Sequence, residues 1–150
     1  MIRRAVVAAA AAVVVASSLA GCGASPITPD RLQTSIAPTF ARLYRLQQRE
    51  AGNPTPSLAS LRPRASCTKG SPQDEQRGAG NDWTCLVSYS AAGADTRVVA
   101  TYLVTVQPDG CYAADGDGPQ TLNGRPTITG RGYRQVTNPL FLLNGCFDVG

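Results

Sequence analysis

Cysteine placement constrains the fold of this chain more than any other feature of its sequence. The 150 residues include five cysteines and no histidine, and four of the cysteines are Cys67, Cys85, Cys111 and Cys146. Four cysteines can pair in three ways. We favour Cys67–Cys85 and Cys111–Cys146, because each pair flanks one continuous segment. A zinc site is a poor alternative, since the sequence has neither C-x-x-C spacing nor histidine.

The N-terminus has the pattern of an export signal. Arg3 and Arg4 precede an unbroken run of alanine and valine from Ala5 to Ala16, and small residues follow. This run is shorter than the roughly 20 residues that a membrane-spanning helix needs, so a permanent span is the weaker interpretation. Residues 1–21 are therefore predicted to be a signal peptide, for general secretion rather than the twin-arginine route.

Leu19-Ala20-Gly21-Cys22 resembles the lipobox of bacterial lipoproteins. The resemblance implies cleavage before Cys22, a diacylglyceryl thioether on its sulfur and, often, N-acylation with a fatty acid such as palmitate. Two acyl chains suffice for stable anchoring, which places the chain on the extracytoplasmic face of the cell membrane. Lipidation of Cys22 leaves an even number of cysteines in an oxidising compartment, where two disulfides are expected. Ordinary secretion with Cys22 as a spare thiol is the alternative.

The mature chain has the size of one domain. We assign residues 22–29 to a lipidated tether and residues 30–150 to a single globular α+β domain. Loss of Arg3 and Arg4 lowers the net charge from +4 to +2. This charge is too small to indicate a nucleic-acid partner, and export also argues against one.

A helical pattern opens the domain. Thr28 is a plausible N-cap, followed by Pro29 at the first helical position, and Gly52-Asn53-Pro54 marks the end. Pro38 predicts either a kink or a second helix that starts there. The apolar stripe consists of Leu32, Ile36, Phe40, Leu43 and Tyr44.

The hydrophobic period then changes to two, which is typical of strands. A turn signature, Gln107-Pro108-Asp109-Gly110, predicts a hairpin, whereas residues 52–64 are predicted to be an irregular linker, and residues 70–81 and 115–132 loops. Strands are predicted at 65–68, Trp83–Tyr89, Arg97–Val106, 111–114, 140–143 and 146–147. The expected fold is α+β: a kinked N-terminal helix packed on an antiparallel β-meander of three to five strands, with two disulfides.

The residue types present limit the chemistry. Without histidine, Ser-His-Asp and Cys-His catalysis are excluded. Paired carboxylates remain conceivable, but most acidic residues lie in predicted loops, where aspartate favours turns. Asp115-Gly116-Asp117-Gly118 resembles the start of a calcium loop, yet Pro119 and Pro126 stand where further oxygen ligands are needed. We therefore predict no catalytic residue, cofactor or metal site.

Two groups of residues are candidates for a binding surface. Arg42, Arg45 and Arg49 lie opposite the apolar stripe, either as a solvated helix face or in contact with anionic headgroups or wall polymers. The aromatic residues are expected in the core, although any exposed ones would mark a ligand or partner surface. They are Trp83, Tyr89, Tyr102, Tyr112, Tyr133, Phe141 and Phe147.

The layout of helix, meander, paired cysteines and lipobox resembles small actinobacterial lipoproteins with domains of unknown function. Only Cys22 has a role that this resemblance carries over. We expect a non-catalytic, membrane-anchored module that binds an envelope protein or polymer. A carrier for a small apolar ligand is the alternative, and a small carboxylate-dependent enzyme is a third.

Overall fold

A computed structural model describes residues 27–91 and 96–149. The predicted signal peptide, the lipobox with Cys22, and the tether up to residue 26 lie outside the described residues. Within the described ranges, no helix is long and apolar enough to cross a membrane.

A single long helix, α1 (Pro29–Ala51), opens the domain. Thr28 has extended backbone at the N-cap position, and Pro29 occupies the first turn, where its missing N–H would have no helical partner. Gly52 ends the helix in the left-handed conformation (φ 80°), and its N–H donates to the carbonyl of Arg49. Glycine adopts this conformation without steric cost. The predicted start and end are confirmed.

Helix α1 runs without a break through Pro38, so the expectation of a second helix that starts at Pro38 is wrong. Ile36 and Phe40, on either side of Pro38, are both buried against the sheet. Burial of two large apolar side chains stabilises the structure by an amount comparable to the roughly 3 kcal/mol that proline costs inside a helix. Tertiary packing therefore holds the helix together across Pro38.

The rest of the described domain consists of β-strands, one further short α-helix and a short 3₁₀ segment, Arg131–Tyr133. Helix α2 (Leu58–Leu61) lies inside the segment predicted to be an irregular linker. The strands are β1 (Arg64–Lys69), β2 (Gly80–Ser90), β3 (Arg97–Val106), β4 (Cys111–Gly118), β5 (Thr127–Thr129), β6 (Gln135–Thr137) and β7 (Leu142–Cys146). Five of them form one antiparallel sheet in the order β1-β2-β3-β4-β7, which confirms the α+β meander. Strands β5 and β6 form a separate two-stranded ribbon in the connection between β4 and β7.

The predicted loop over residues 115–132 is wrong in two places. Strand β4 continues to Gly118, with Asp115 opposite Leu103 on β3 and opposite Leu142 on β7. Asp115–Gly118 is thus part of a strand rather than a turn. Pairing with β3, to which β7 adds a partner only at Asp115, overrides the low strand propensity of aspartate and glycine. The second difference is strand β5 (Thr127–Thr129), which also lies within the predicted loop. At the C-terminus, the two predicted short strands are one strand, β7, which starts two residues later than expected.

Helix α1 covers one face of the sheet and fills the interior with aromatic rings. The ring centroid of Phe40 lies 4.9 Å from that of Tyr89 and 6.3 Å from that of Tyr102. Tyr44 contacts Tyr89 at 4.7 Å. Burial raises the pKa of Tyr89 and Tyr102 above the ordinary value of 10, so both phenols stay neutral in alkaline solution that would ionise an exposed tyrosine.

The other face of the sheet has no covering layer in the described part of the chain. Leu86, Val99 and Leu103 form a patch there, because Leu86 lies opposite Thr101 and diagonal to the other two. Leu103 is the most exposed of the three, at 51%. Leu142 on β7 is also exposed on this face.

Two disulfides, Cys67–Cys85 and Cys111–Cys146, have the predicted pairing. In each, the two cysteines lie directly opposite one another on neighbouring strands. One bridge fastens the edge strand β1 to β2, and the other fastens the edge strand β7 to β4. Because each closes a loop in the unfolded chain, each stabilises the fold by about 3 kcal/mol.

The two bridges differ in exposure, which predicts an order of reduction. Cys67 and Cys85 are buried under α1, whereas Cys146 is exposed on the uncovered face and Cys111 is half-buried. A thiolate must reach the bridge to reduce it. Under limiting dithiothreitol, alkylation followed by peptide mass spectrometry is expected to label Cys111 and Cys146 first. Earlier or simultaneous labelling of Cys67 and Cys85 would contradict the assigned faces.

Candidate functional site

A buried pair of amide side chains joins α1 to the connection between β4 and β7. Gln47, on the sheet side of α1, is only 5% exposed. Its Nε2 donates to the carbonyl of Leu122 at 2.6 Å and to Oδ1 of Asn138 at 2.8 Å. Gln47 and Asn138 are called the amide node below.

Asn138 makes hydrogen bonds to two turns, one at residues 119–126 and the other at residues 138–141. Its Nδ2 donates to the carbonyls of Leu122 and Arg125, at 2.9 and 2.8 Å. Its Oδ1 accepts from the N–H of Leu140 at 3.0 Å. A buried backbone group without a partner costs about 1–3 kcal/mol, so one side chain satisfies groups that both turns would otherwise leave unpaired.

A second buried amide, Asn123, ties the same turn to the sheet. Its Nδ2 donates to the carbonyl of Thr101 at 2.7 Å, where the pairing of β3 with β4 shifts register. Gly116 on β4 is in close contact with this turn, since an added Cβ would lie 2.1 Å from the Asn123 carbonyl oxygen. The turn is therefore held from α1, from β3 and from β4.

These contacts form a cleft of about 400 Å³ between the C-terminal end of α1 and the β5–β6 ribbon. Its lining contains five amide side chains, three threonines and one arginine, and no acidic residue. Ala51 and Ile128 supply the apolar contacts. The amide side chains belong to Gln47, Gln48, Asn53, Gln120 and Gln135, and we call this site the amide cleft.

Hydrogen bonds between the amides hold part of this lining in place. Nδ2 of Asn53 donates to Oε1 of Gln48 at 3.0 Å, and Nε2 of Gln48 donates to Oε1 of Gln47 at 3.4 Å. On the opposite wall, Nε2 of Gln135 donates to Oγ1 of Thr129 at 3.2 Å. Each amide carries both donors and acceptors. The cleft therefore suits a ligand that is itself rich in hydroxyl or amide groups.

The ribbon ends in a short projecting turn, Gly130–Arg134, called the tip below. The N–H of Gly130 donates to the carbonyl of Arg134 at 2.7 Å, which closes the turn. Gly132 (φ 68°) and Tyr133 (φ 60°) are both left-handed, a conformation that costs a bulky residue about 1–3 kcal/mol. Tyr133 is 94% exposed, so its expected place in the core is wrong.

The tip rests on the C-terminal end of α1. An added Cβ at Gly130 would lie 3.1 Å from the carbonyl oxygen of Glu50. An added Cβ at Gly52 would lie 3.0 Å from Cγ of Arg131. A side chain at Gly52 would press against that of Arg131, and the left-handed backbone at this position disfavours one as well. The tip and the amide cleft therefore adjoin the same end of α1. They also share residues at their border, since the lining of the cleft includes Thr129 and Gln135, which flank the tip.

The other predicted site residues lie where the helical period places them. Arg42 and Arg49 are exposed on the side of α1 that faces away from the sheet, and Arg45 is half-buried beside them. Nε of Arg45 is buried without a hydrogen-bond partner among the described residues. Of the remaining aromatic residues, Phe141 and Phe147 are half-buried, and Trp83, Tyr89, Tyr102 and Tyr112 are in the core as expected.

Metal-ligand clustering and comparison with known proteins add no further site. Among the described residues, no group of three or more histidine, cysteine or acidic residues could hold a metal ion. No protein-family model, curated protein or solved structure matches the chain. Roles for the amide cleft and the tip therefore follow from their own contacts.

Replacement of Asn138 tests the amide node. Asn138→Ala leaves the carbonyl of Arg125 and the N–H of Leu140 without their side-chain partner, and leaves the carbonyl of Leu122 only its bond from Gln47. We expect a loss of about 3 kcal/mol in the free energy of unfolding, measured by urea denaturation with the disulfides intact. Asn144→Ala, at an exposed position on β7, is the control and should change the value by less than about 0.5 kcal/mol. Equal effects of the two substitutions would contradict the role of the node.

Proposed function

We propose that the chain is a lipid-anchored lipoprotein of the extracytoplasmic membrane face, and that it serves as a non-catalytic binding module of the cell envelope. The lipobox at Cys22 supports the anchor, and two disulfides suit an oxidising compartment. The partner is a hydroxyl-rich or amide-rich component of the envelope. The amide cleft is the surface that binds it.

The lining of the amide cleft is the observation that carries this proposal. Five amides and three threonines line about 400 Å³, a volume within the usual range for small-molecule sites. Fixed amides lose little conformational freedom when they bind a ligand, because their orientations are already set by neighbours. A segment of an envelope glycan, with hydroxyl and acetamido groups, has the matching donors and acceptors.

The two alternatives have less support from the contacts. An enzyme that uses paired carboxylates needs two acids in one cleft. The lining of the amide cleft includes none, and Asp30 and Asp148 line a separate, more open cleft beside the N-terminal end of α1. A carrier for an apolar ligand needs an apolar cavity of several hundred Å³. The space between α1 and the sheet, where such a cavity would form, is filled by the contacting rings of Phe40, Tyr44, Tyr89 and Tyr102.

A glycan titration tests the proposed function. With an N-acetylglucosamine tetrasaccharide, we expect the side-chain amide NMR signals of Gln48, Gln120 and Gln135 to shift. The exposed side chains of Gln120 and Gln135 can be removed without opening the core. Gln120→Ala and Gln135→Ala should each weaken binding about fivefold, the loss of one hydrogen bond.

Gln107→Ala is the matched control, since Gln107 is an exposed glutamine in the β3–β4 turn and is absent from the cleft lining. It should leave the affinity unchanged. An absence of shifts at the cleft amides, or equal weakening by all three substitutions, would count against the amide cleft as the binding surface.

A further inference from the structure

The C-terminal half of α1 and the β4–β7 connection are strongly and almost exclusively positive in charge. Residues 39–51 and 119–141 together contain six arginines and one acidic residue, Glu50, so that nine of the ten acidic residues lie elsewhere. The net charge of these two segments exceeds the +4 of the whole chain. Such an asymmetry creates a directed attraction to an anionic surface.

These arginines are not neutralised by ion pairs within the described part of the protein. The ion pairs found there join Lys69 to Asp82 and Arg77 to Glu75, both in or near the β1–β2 hairpin. Arg42 and Arg49 on α1, and Arg131 and Arg134 at the tip, are exposed. Their charges are available to a partner.

The tip adds a projecting aromatic residue to this charge. Tyr133 is 94% exposed between Arg131 and Arg134. An added Cβ at the neighbouring Gly132 would meet nothing within 4 Å, so this part of the turn also faces open space. The contacts of Gly130 and Arg131 with the end of α1 fix its position. An exposed tip with an amphipathic ring and flanking arginines matches the headgroup region of a membrane, where tyrosine is enriched.

We propose that the tip and the outward arginines of α1 bind anionic lipid headgroups and hold the domain on the membrane with α1 along its surface. The proposal rests on the proposed lipid anchor at Cys22. Only residues 23–28 separate Cys22 from the first residue of α1, and the buried Ile27 accepts a hydrogen bond from the N–H of Gly78 at 2.9 Å.

This attachment has a geometric consequence. The 23 residues of α1 span about 34 Å, whereas the chain between Cys22 and Ile27 reaches only about 17 Å when fully extended. If α1 stood upright on its N-terminal end, the tip would lie far outside the headgroup region. If α1 lies along the membrane, the anchor at its N-terminal end and the tip at its C-terminal end both come within reach of the headgroups.

A tryptophan reporter at the tip tests this orientation. The chain has one tryptophan, Trp83, which is buried under α1 with its Nε1 bonded to the carbonyl of Gly78 at 3.1 Å. Tyr133→Trp therefore adds the only exposed indole. Leu103→Trp, on the uncovered face of the sheet, is the matched control. Both are made in the lipidated full-length mature chain and reconstituted into vesicles with brominated acyl chains.

We expect the bromines to quench the Tyr133→Trp emission in phosphatidylglycerol vesicles, and to quench the Leu103→Trp emission little. Adding Arg131→Gln and Arg134→Gln should lower the equilibrium constant for tip docking roughly 25-fold, at about fivefold for each arginine near an anionic surface. Vesicles of phosphatidylcholine alone should likewise give little quenching.

Vesicle flotation tests the lipid anchor independently of the docking of the tip. A chain that fails to float with the vesicles refutes the proposed anchor. A chain that floats, but whose Tyr133→Trp emission is quenched no more than that of Leu103→Trp, overturns the proposed orientation. Quenching that is equal in neutral and anionic vesicles overturns the role of the arginines. An emission change with soluble dextran sulfate, without quenching by brominated lipid, would replace the membrane with a polyanionic polymer as the partner.

Discussion

The hydrogen bond between Gln47 and Asn138 is the contact on which the binding end of the molecule depends. It links α1 to residues 119–141, a long connection with only two three-residue strands of its own. Without a partner in α1, such a connection would have to satisfy its backbone groups with water. The amide node fixes the turns at 119–126 and 138–141. The amide cleft and the tip both belong to the segment that these turns hold in place.

The two disulfides complement the amide node by fastening the two edges of the five-stranded sheet. Each fastens an edge strand, and β7 is also the strand into which the long connection returns. Tyr112 on β4 packs over Gly145 on β7, where an added Cβ would lie 2.5 Å from its hydroxyl oxygen. The covalent bridge and this close packing fix the end of the connection, and the amide node fixes its middle. Together they allow a polar, strand-poor segment to hold a defined shape.

Much of the fold could be predicted because it depends on periodicity and local chemistry. The alternating buried residues of β2 and β3, the caps of α1 and the pairing of neighbouring cysteines all leave a direct signature. The choice between one helix and two at Pro38, and the extension of β4 to Gly118, could not be decided from local signals, because tertiary packing and pairing with β3 outweigh local propensity.

The candidate site was predicted only in part. Arg42 and Arg49 follow from helical spacing, and Tyr133 was recognised as aromatic but expected in the core. Glutamine and asparagine have no spacing rule that marks a buried node, since their partners are mostly backbone carbonyls distant in sequence. The alternation in Thr127–Thr129 and Gln135–Thr137 is too short to distinguish a ribbon from a loop.

Native-state hydrogen exchange tests the central claim most directly, namely that residues 119–141 form a fixed platform. The N–H groups of Gly130, Asn138 and Phe141 each donate to a backbone carbonyl within that segment. We predict that these three amides exchange at least about a hundredfold more slowly than in an unstructured peptide. Exchange at the peptide rate, while the amides of β2 and β3 stay protected, would show that the connection is not held by the amide node and would contradict this account.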